Sequence, residues 1–165
     1  MTPELFNQEL AVVWPRLRRF AYSLARDAAD GDDLAQMAAE KAFRSSHQFE
    51  AGTRFDSWCF RICRTVWIDT VRTRGRKAQY EAPPEAAEHL GVDARPQVEA
   101  AIDLGKAMAA MDRLPDEQRE VVALILIEGF GYREASEILD LPIGTVSSRL
   151  VRGRTALLTM LGEGK

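Results

Sequence analysis

The chain has 165 residues, is 46% hydrophobic and 28% charged, and carries a formal net charge of −3 at pH 7. This is the composition of an ordinary globular protein, and the length allows one domain or two small ones. No apolar run is long enough to span a bilayer, and the opening Met-Thr-Pro-Glu-Leu has no basic and hydrophobic segment of a signal peptide. A secreted or membrane protein is therefore not expected, and a cytoplasmic one is.

The first predicted element is a helix over residues 3–26. Its apolar residues recur at helical spacing: Leu10, Val13, Leu17, Phe20 and Leu24. Pro15 lies in the middle and is expected to kink or break this helix. A second helix follows to about Ser45, with N-cap carboxylates supplied by the acidic residues Asp30, Asp32 and Asp33.

A third helix is predicted to begin at Thr53 and Asp56, which resemble a capping box. At about 100° per residue, one arc is apolar and forms the expected core: Phe55, Cys59, Ile62, Cys63 and Val66. The nearly opposite arc carries Arg54, Arg61, Thr65 and Arg72. Such a basic stripe suits a helix laid along a nucleic-acid backbone, although a merely solvated charged face explains it equally well.

The distribution of charge is more informative than its sum. Residues 53–77 hold seven Lys or Arg against two acids, and residues 141–165 hold four against one. Residues 78–105 have six acids against one base, and residues 106–140 have eight against four. Two basic segments separated by acidic ones predict two local phosphate contacts.

The chain divides at residues 78–105, which contain three of the seven prolines and lack sustained apolar periodicity up to about residue 100. This composition predicts a flexible linker between domains at 1–77 and 106–165, and the first site of proteolysis. In the second domain, Pro115 and two acids predict a helix start. Residues 121–127 are consecutively apolar or small and could form a buried strand, but their surroundings favour a buried helix.

Residues 132–154 predict a helix-turn-helix with Asp140 in a left-handed turn and Pro142 opening the second helix. One side of that helix is apolar, with Val146, Leu150 and Leu157. Another side carries Thr145, Ser148, Arg149 and Arg152. Hydroxyls and guanidiniums in this arrangement are typical of a helix that reads the DNA major groove.

Motifs along nearly the whole chain resemble those of bacterial extracytoplasmic-function (ECF) sigma factors of the minimal two-domain type. The first is Asp30-Gly-Asp-Asp-Leu-Ala-Gln36, and the second runs from Phe55 to Arg72 around Trp58, Arg61 and Ile68-Asp69. The C-terminal motifs are Leu114-Pro, Gln118-Arg-Glu-Val-Val, Glu128-Gly, Tyr132-Arg-Glu and Gly144-Thr-Val-Ser-Ser-Arg-Leu. The fold this resemblance implies is all-α, with two small helical domains.

The resemblance implies a protein that binds core RNA polymerase and directs it to promoter DNA, with an anti-sigma factor as a further partner. Polymerase-binding residues would be Asp32, Asp33 and Gln36. The −10 element would contact Arg54, Arg61, Thr65, Arg72 and the loop from Phe49 to Asp56. The −35 element would contact Gly144, Thr145, Ser147, Ser148, Arg149, Arg152 and Arg154. Unlike relatives, the chain has Thr65 in place of Asn, Ser136 in place of Ala and Asp140 in place of Gly.

Aromatic residues near the third helix could stack on unpaired bases, but core packing is the stronger expectation for each: Phe49, Phe55, Trp58 and Trp67. Cys59 and Cys63 are expected to be buried thiols, with no metal and no cofactor. No paired acid–base site or nucleophile motif is present, so no enzyme activity is expected. The alternatives are a free-standing helix-turn-helix regulator and a helical interaction module that does not bind DNA.

Overall fold

The structure is a computed structural model. It describes residues 1–78 and 99–162, and for residues 76–78 and 99–104 it describes only the backbone. Within these ranges every regular element is helical: α1 (Pro3–Ala25), α2 (Ala28–Arg44), a 3₁₀ turn (Ser46–Gln48), α3 (Phe55–Ala78), α4 (Glu99–Arg113), α5 (Asp116–Val122), a π-helical turn (Ala123–Ile127), α6 (Tyr132–Leu139) and α7 (Ile143–Met160). The predicted all-α, two-domain fold is confirmed. None of the described helices is long and apolar enough to cross a membrane.

The N-terminal domain consists of α1, α2 and α3, packed around a core that includes the predicted residues of α1. The helix α1 begins after Thr2, whose hydroxyl accepts a hydrogen bond from the N–H of Leu5 at 3.2 Å. It is not broken at Pro15. Buried Val13 and Leu17 on either side hold the helix against the core, which offsets the loss of one backbone hydrogen bond.

The starts of α2 and α3 differ from the sequence prediction. Asp27 is the N-cap of α2 and accepts a hydrogen bond from the N–H of Asp30 at 2.9 Å, so the acids at 30–33 lie inside the helix. At α3 the hydroxyl of Thr53 donates to the carbonyl of Glu50 at 2.7 Å. The predicted capping box is therefore wrong, because Thr53 completes a turn of the preceding loop instead.

The C-terminal domain consists of α4 to α7. Residues 121–127 are helical, as expected, but the last five widen into the π-helical turn. Gly129 follows with φ +79°, a conformation that glycine adopts without strain. The helix α7 packs against α5 at Gly153, where an added Cβ would lie 2.7 Å from Cγ2 of Val122. This glycine sets how closely α7 approaches α5.

The predicted turn of the helix-turn-helix is confirmed. Asp140 has φ 53° and ψ 52°, in the left-handed region. The hydroxyl of Ser136 donates to the carbonyl of Leu141, so the serine that replaces alanine closes the turn. Pro142 immediately precedes α7.

The two domains pack against each other, with α1 contacting α5 and α3 contacting α6. Phe60 of α3 and Phe130 lie edge to face across this boundary, with ring centroids 5.1 Å apart. The predicted linker falls largely on residues 79–98, which lie outside the described residues. Its last residues, 99–105, belong to α4.

Candidate nucleic-acid interface

The helix α7 presents its outward face as a stripe of small and polar residues. Gly144, Ser148 and Thr155 are exposed along it, together with Arg152 at its edge. Val146 and Leu150 are buried on the opposite side, as the sequence predicts. Because one face of α7 is buried in the core, the exposed face forms a narrow polar ridge. Its shape and chemistry fit a major groove.

One exposed apolar residue of this face was not predicted from the sequence. Val151 is 61% exposed and lies between Ser148 and Thr155 on the same stripe. Apolar side chains on a reading helix can contact the methyl group of thymine. The sequence could have indicated this position, because Val151 is seven residues after Gly144 and therefore lies on the same face of the helix.

The predicted −35 residues do not all share one surface. Thr145 and Ser147 are half-buried on the flanks, whereas Arg154 is exposed on another side of α7. Arg149 is also half-buried and points toward α5, with its guanidinium 4.0 Å from the carboxylate of Glu117. Arg149 therefore faces α5 and does not lie on the outward stripe.

On the N-terminal domain all four residues of the predicted basic stripe are exposed: Arg61, Thr65 and Arg72 on α3, and Arg54 just before it. Beside them lies a cleft of about 620 Å³ that includes Trp58 and Arg61 of α3, Gln48 of the preceding turn, and Glu134 of α6. A second groove of about 290 Å³ continues past Trp58 and Arg61 to Thr65. An aromatic ring beside a cation is suited to unpaired bases.

The fourth stripe residue, Arg54, is held by acidic partners. It donates to Asp56 at 2.8 Å and 3.1 Å, and to Glu134 of the C-terminal domain. Arg16 also donates to Asp56, at 3.0 Å. Burial acts to raise the pKa of Asp56, but hydrogen bonds from Arg54, Arg16 and the N–H of Ser57 outweigh it and lower the pKa.

Arg64, also on α3, lies outside the predicted basic stripe and makes contacts of a different kind. It donates to the carbonyl of Leu139 at 2.8 Å and to both carboxylate oxygens of Glu120, at 3.2 Å and 3.3 Å. Its side chain is turned into the domain boundary. The sequence holds no local signal for such a contact, since the partners lie more than fifty residues away along the chain.

The predicted polymerase-binding residues are divided between two sides of α2. Asp33 and Gln36 line a groove of about 220 Å³ between α2 and α3, with Met37, Trp67 and Arg74. Asp32 lies on the other side and accepts hydrogen bonds from Arg18 of α1 at 2.8 Å and 3.1 Å. The groove offers exposed carboxylates beside a half-buried indole, a combination that suits a basic and apolar protein surface.

The aromatic residues and cysteines follow the core expectation. Phe55 is buried, and Phe49, Trp58 and Trp67 pack against the core while part of each remains accessible. Cys59 and Cys63 are buried free thiols, and burial raises the pKa of each to about 12. Among the described residues, no group of three or more His, Cys, Asp and Glu could hold a metal ion.

Family models match both domains of this chain. Residues 13–77 match the model of Sigma-70 region 2, and residues 104–157 match the model of Sigma-70, region 4. The first covers the second half of α1, all of α2 and nearly all of α3, and the second covers the helix-turn-helix, so the two matches fall on the two surfaces described above.

Similar proteins extend over almost the full chain. The ECF RNA polymerase sigma factor EcfG of Rhodopseudomonas palustris is 34% identical over 98% of this chain and 87% of its own. SigE of Mycolicibacterium smegmatis, another ECF RNA polymerase sigma factor, is 38% identical over 90% of this chain and 58% of its own. Among solved structures, the sigma factor RpoE of Bartonella quintana, in complex with the anti-sigma factor NepR, matches with a TM-score of 0.79 and 32% identity, covering 97% of this chain and 98% of RpoE.

Proposed function

The chain belongs to the ECF RNA polymerase sigma factors, and we propose that its two domains divide promoter recognition between the surfaces described above. It binds core RNA polymerase and directs promoter-specific initiation of transcription. The observation that carries the division of roles is the coincidence of each matched region with one polar or basic surface, on α7 and on α3. We assign no catalytic activity to the chain itself, and place its action in the cytoplasm.

The outward stripe of α7 is proposed to enter the major groove of the −35 element. Ser148 and Arg152 are exposed there, and Gly144 has no side chain, so the backbone can approach a phosphate closely. Arg149 is proposed to exchange Glu117 for a base edge or a phosphate. Arg154, Thr145 and Ser147 flank the groove-facing residues.

The −10 element is proposed to follow α3 from the Trp58 cleft to Arg72. Arg61 and Thr65 are exposed along this path, and Trp58 lines the groove, where its ring is proposed to stack on an unpaired base. Arg54 contributes a cation at the entrance of the cleft. Thr65 has a hydroxyl that donates to the carbonyl of Arg61 at 3.0 Å, so only its acceptor lone pairs are directed at a ligand.

The groove between α2 and α3 is proposed to bind core polymerase through Asp33, Gln36 and Met37. Asp32 is proposed to support it indirectly, since its ion pair with Arg18 ties α2 to α1. An anti-sigma factor is a further proposed partner. RpoE, the relative solved in complex with NepR, supports this proposal because it matches this chain across both domains.

The −35 assignment is tested with the chain bound to core polymerase, by measuring affinity for a series of −35 variants at several salt concentrations. Arg149→Ala should cost about 1–3 kcal/mol and relax discrimination at one base pair if this side chain reads a base. Arg154→Ala should weaken binding to all sequences alike and reduce the salt slope by about one unit. Glu117→Gln releases Arg149 from α5 and should preserve the base preference.

An unchanged affinity and base preference in Arg149→Ala would remove Arg149 from the reading surface. The stripe of Ser148, Val151 and Arg152 would then carry the recognition by itself. Changes confined to Arg154→Ala would instead indicate that α7 contacts only the DNA backbone.

A further inference from the structure

The boundary between the domains is formed by arginines of one domain that meet acids and carbonyls of the other. Arg16 and Arg19 of α1 reach Glu128. Arg26, which directly follows α1, donates to the carbonyl of Leu114 and to Asp116. In the reverse direction Arg119, which is almost fully buried, donates to the carbonyl of Ser23. The pairing runs the length of the boundary, so the domain arrangement is held by specific charged contacts as well as by apolar packing.

Glu128 is the centre of this contact. Its carboxylate accepts hydrogen bonds from Arg19 at 2.7 Å and 2.9 Å and from Arg16 at 3.2 Å, and its carbonyl accepts another from Arg16 at 3.0 Å. The side chain is only 1% exposed. Glu128 directly follows the π-helical turn and precedes Gly129, which has a positive φ.

A second set of contacts joins α6 to the proposed −10 surface. Glu134 accepts a hydrogen bond from Arg54, and the backbone N–H of Gly131 donates to the same carboxylate at 3.0 Å. The Gly131 N–H and, after it, Arg54 lower the pKa of Glu134, so the carboxylate is ionised at neutral pH. A fixed anion therefore lies against a cation that the proposed function assigns to DNA.

The same helix restricts the Trp58 cleft. Glu134, Glu137 and Ile138 of α6 form one wall, and Trp58 and Arg61 of α3 form the other. A single strand following α3 would have to pass between these walls. Two carboxylates on the facing wall would repel its phosphates at short range.

We propose that in the free chain the acidic side of α6 masks the −10 surface, with Glu134 in the place of a DNA phosphate at Arg54. The hydrogen bonds of Glu128 with Arg16 and Arg19 hold this closed state. Core polymerase would separate the domains and release Arg54. The inference rests on the proposed −10 role of Arg54 and adds an inhibitory contact made by the chain with itself.

The free chain should bind single-stranded DNA poorly because only molecules in the open state can bind it. The apparent affinity is the affinity of the open state multiplied by the fraction of molecules that are open. Glu128→Gln with Glu134→Gln removes the charges from both contacts while keeping the shape of each side chain. If these substitutions raise the open fraction about tenfold, the apparent Kd for DNA falls about tenfold.

The experiment uses the full-length free chain and fluorescein-labelled single-stranded DNA of mixed sequence, with affinity measured by anisotropy. Small-angle X-ray scattering on the same samples gives the radius of gyration. The control is Glu137→Gln. Glu137 lines the same cleft and takes part in none of the described ion pairs, and its replacement removes one negative charge, as Glu134→Gln does. Thermal melting followed by circular dichroism verifies that each variant is folded. Because Glu134 is half-exposed, Glu134→Gln alone serves if the double variant unfolds.

The expected result is an expanded chain and tighter DNA binding for the double variant. Glu137→Gln removes one wall carboxylate but no ion pair, so it should keep the wild-type radius of gyration and gain less DNA affinity. An unchanged radius of gyration in the double variant would overturn the claim that Glu128 holds the domains together. Expansion with unchanged DNA affinity, or an equal gain in the Glu137→Gln control, would overturn the masking. Arg54→Gln in the polymerase-bound complex separately tests the −10 role: intact promoter opening there would reject that role while leaving the scattering result to decide the closed state.

Discussion

The close approach of α7 to α5 at Gly153 makes a quantitative prediction. Gly153→Ala would place a Cβ 2.7 Å from Cγ2 of Val122 and 3.3 Å from Cβ of Gln118. Both neighbours belong to a packed interface, so the helices must shift. Overpacking of this kind costs about 1–3 kcal/mol. Replacing glycine by alanine in a helix interior raises the free energy of unfolding by about 1 kcal/mol. The net effect of Gly153→Ala should therefore be a free energy of unfolding lower by roughly 1 kcal/mol.

Gly75→Ala in α3 is the matched control, since nothing lies within 4 Å of its added Cβ. That variant should gain about 0.5–1 kcal/mol from helix propensity alone. The free energies of unfolding are measured by urea denaturation followed by circular dichroism. Adding Val122→Ala to Gly153→Ala removes the clashing methyl, so the double variant should be less destabilised than the sum of the two single changes.

If the Gly153→Ala variant has the same free energy of unfolding as the Gly75→Ala variant, the close packing of α5 and α7 is refuted. The functional consequence follows from the same geometry. Since α5 supports the DNA-reading helix, the shift caused by Gly153→Ala should weaken −35 binding even though the residue is buried and cannot contact DNA.

Three further predictions concern local features. Asp140→Gly should raise the free energy of unfolding by about 1 kcal/mol in denaturation, because Asp140 has a positive φ that glycine adopts without strain. Cys59 and Cys63, with pKa values raised to about 12 by burial, should resist iodoacetamide at pH 8 until urea unfolds the chain; labelling of the native state would contradict this. Asp56 has a lowered pKa, so its stabilisation is present above its unfolded pKa of about 3.9 and is lost as pH falls through the folded value. Asp56→Asn should therefore destabilise the chain at pH 7, and the difference from wild type should shrink as the pH falls below about 3.9.

The sequence predicted the features that depend on local periodicity. The buried side of α7, the turn at Asp140 and the buried cysteines of α3 follow from residues within a few helical turns of one another. Predictions at helix ends were less successful. Asp27 and Thr53 form hydrogen bonds that compete with the predicted caps, and a sequence pattern does not rank such alternatives.

The contacts between the domains were not predicted because they depend on tertiary structure. Glu128 was recognised only as part of a motif, and its burial between Arg16 and Arg19 joins residues more than a hundred positions apart. Arg149 was assigned to the reading face by its spacing, yet Glu117 draws it toward α5. A helical wheel places a residue on a face, but a partner on another helix decides where a long side chain lies.

The most direct test of the central claim is transcription by purified core RNA polymerase, with and without this chain, from a library of random promoter fragments. The account predicts transcripts that require the chain and begin downstream of one shared pair of −10 and −35 elements. The −35 preference should change with substitutions on α7. No stimulation above core polymerase alone, together with sequence-specific DNA binding by the free chain, would contradict the account and favour a free-standing helix-turn-helix regulator.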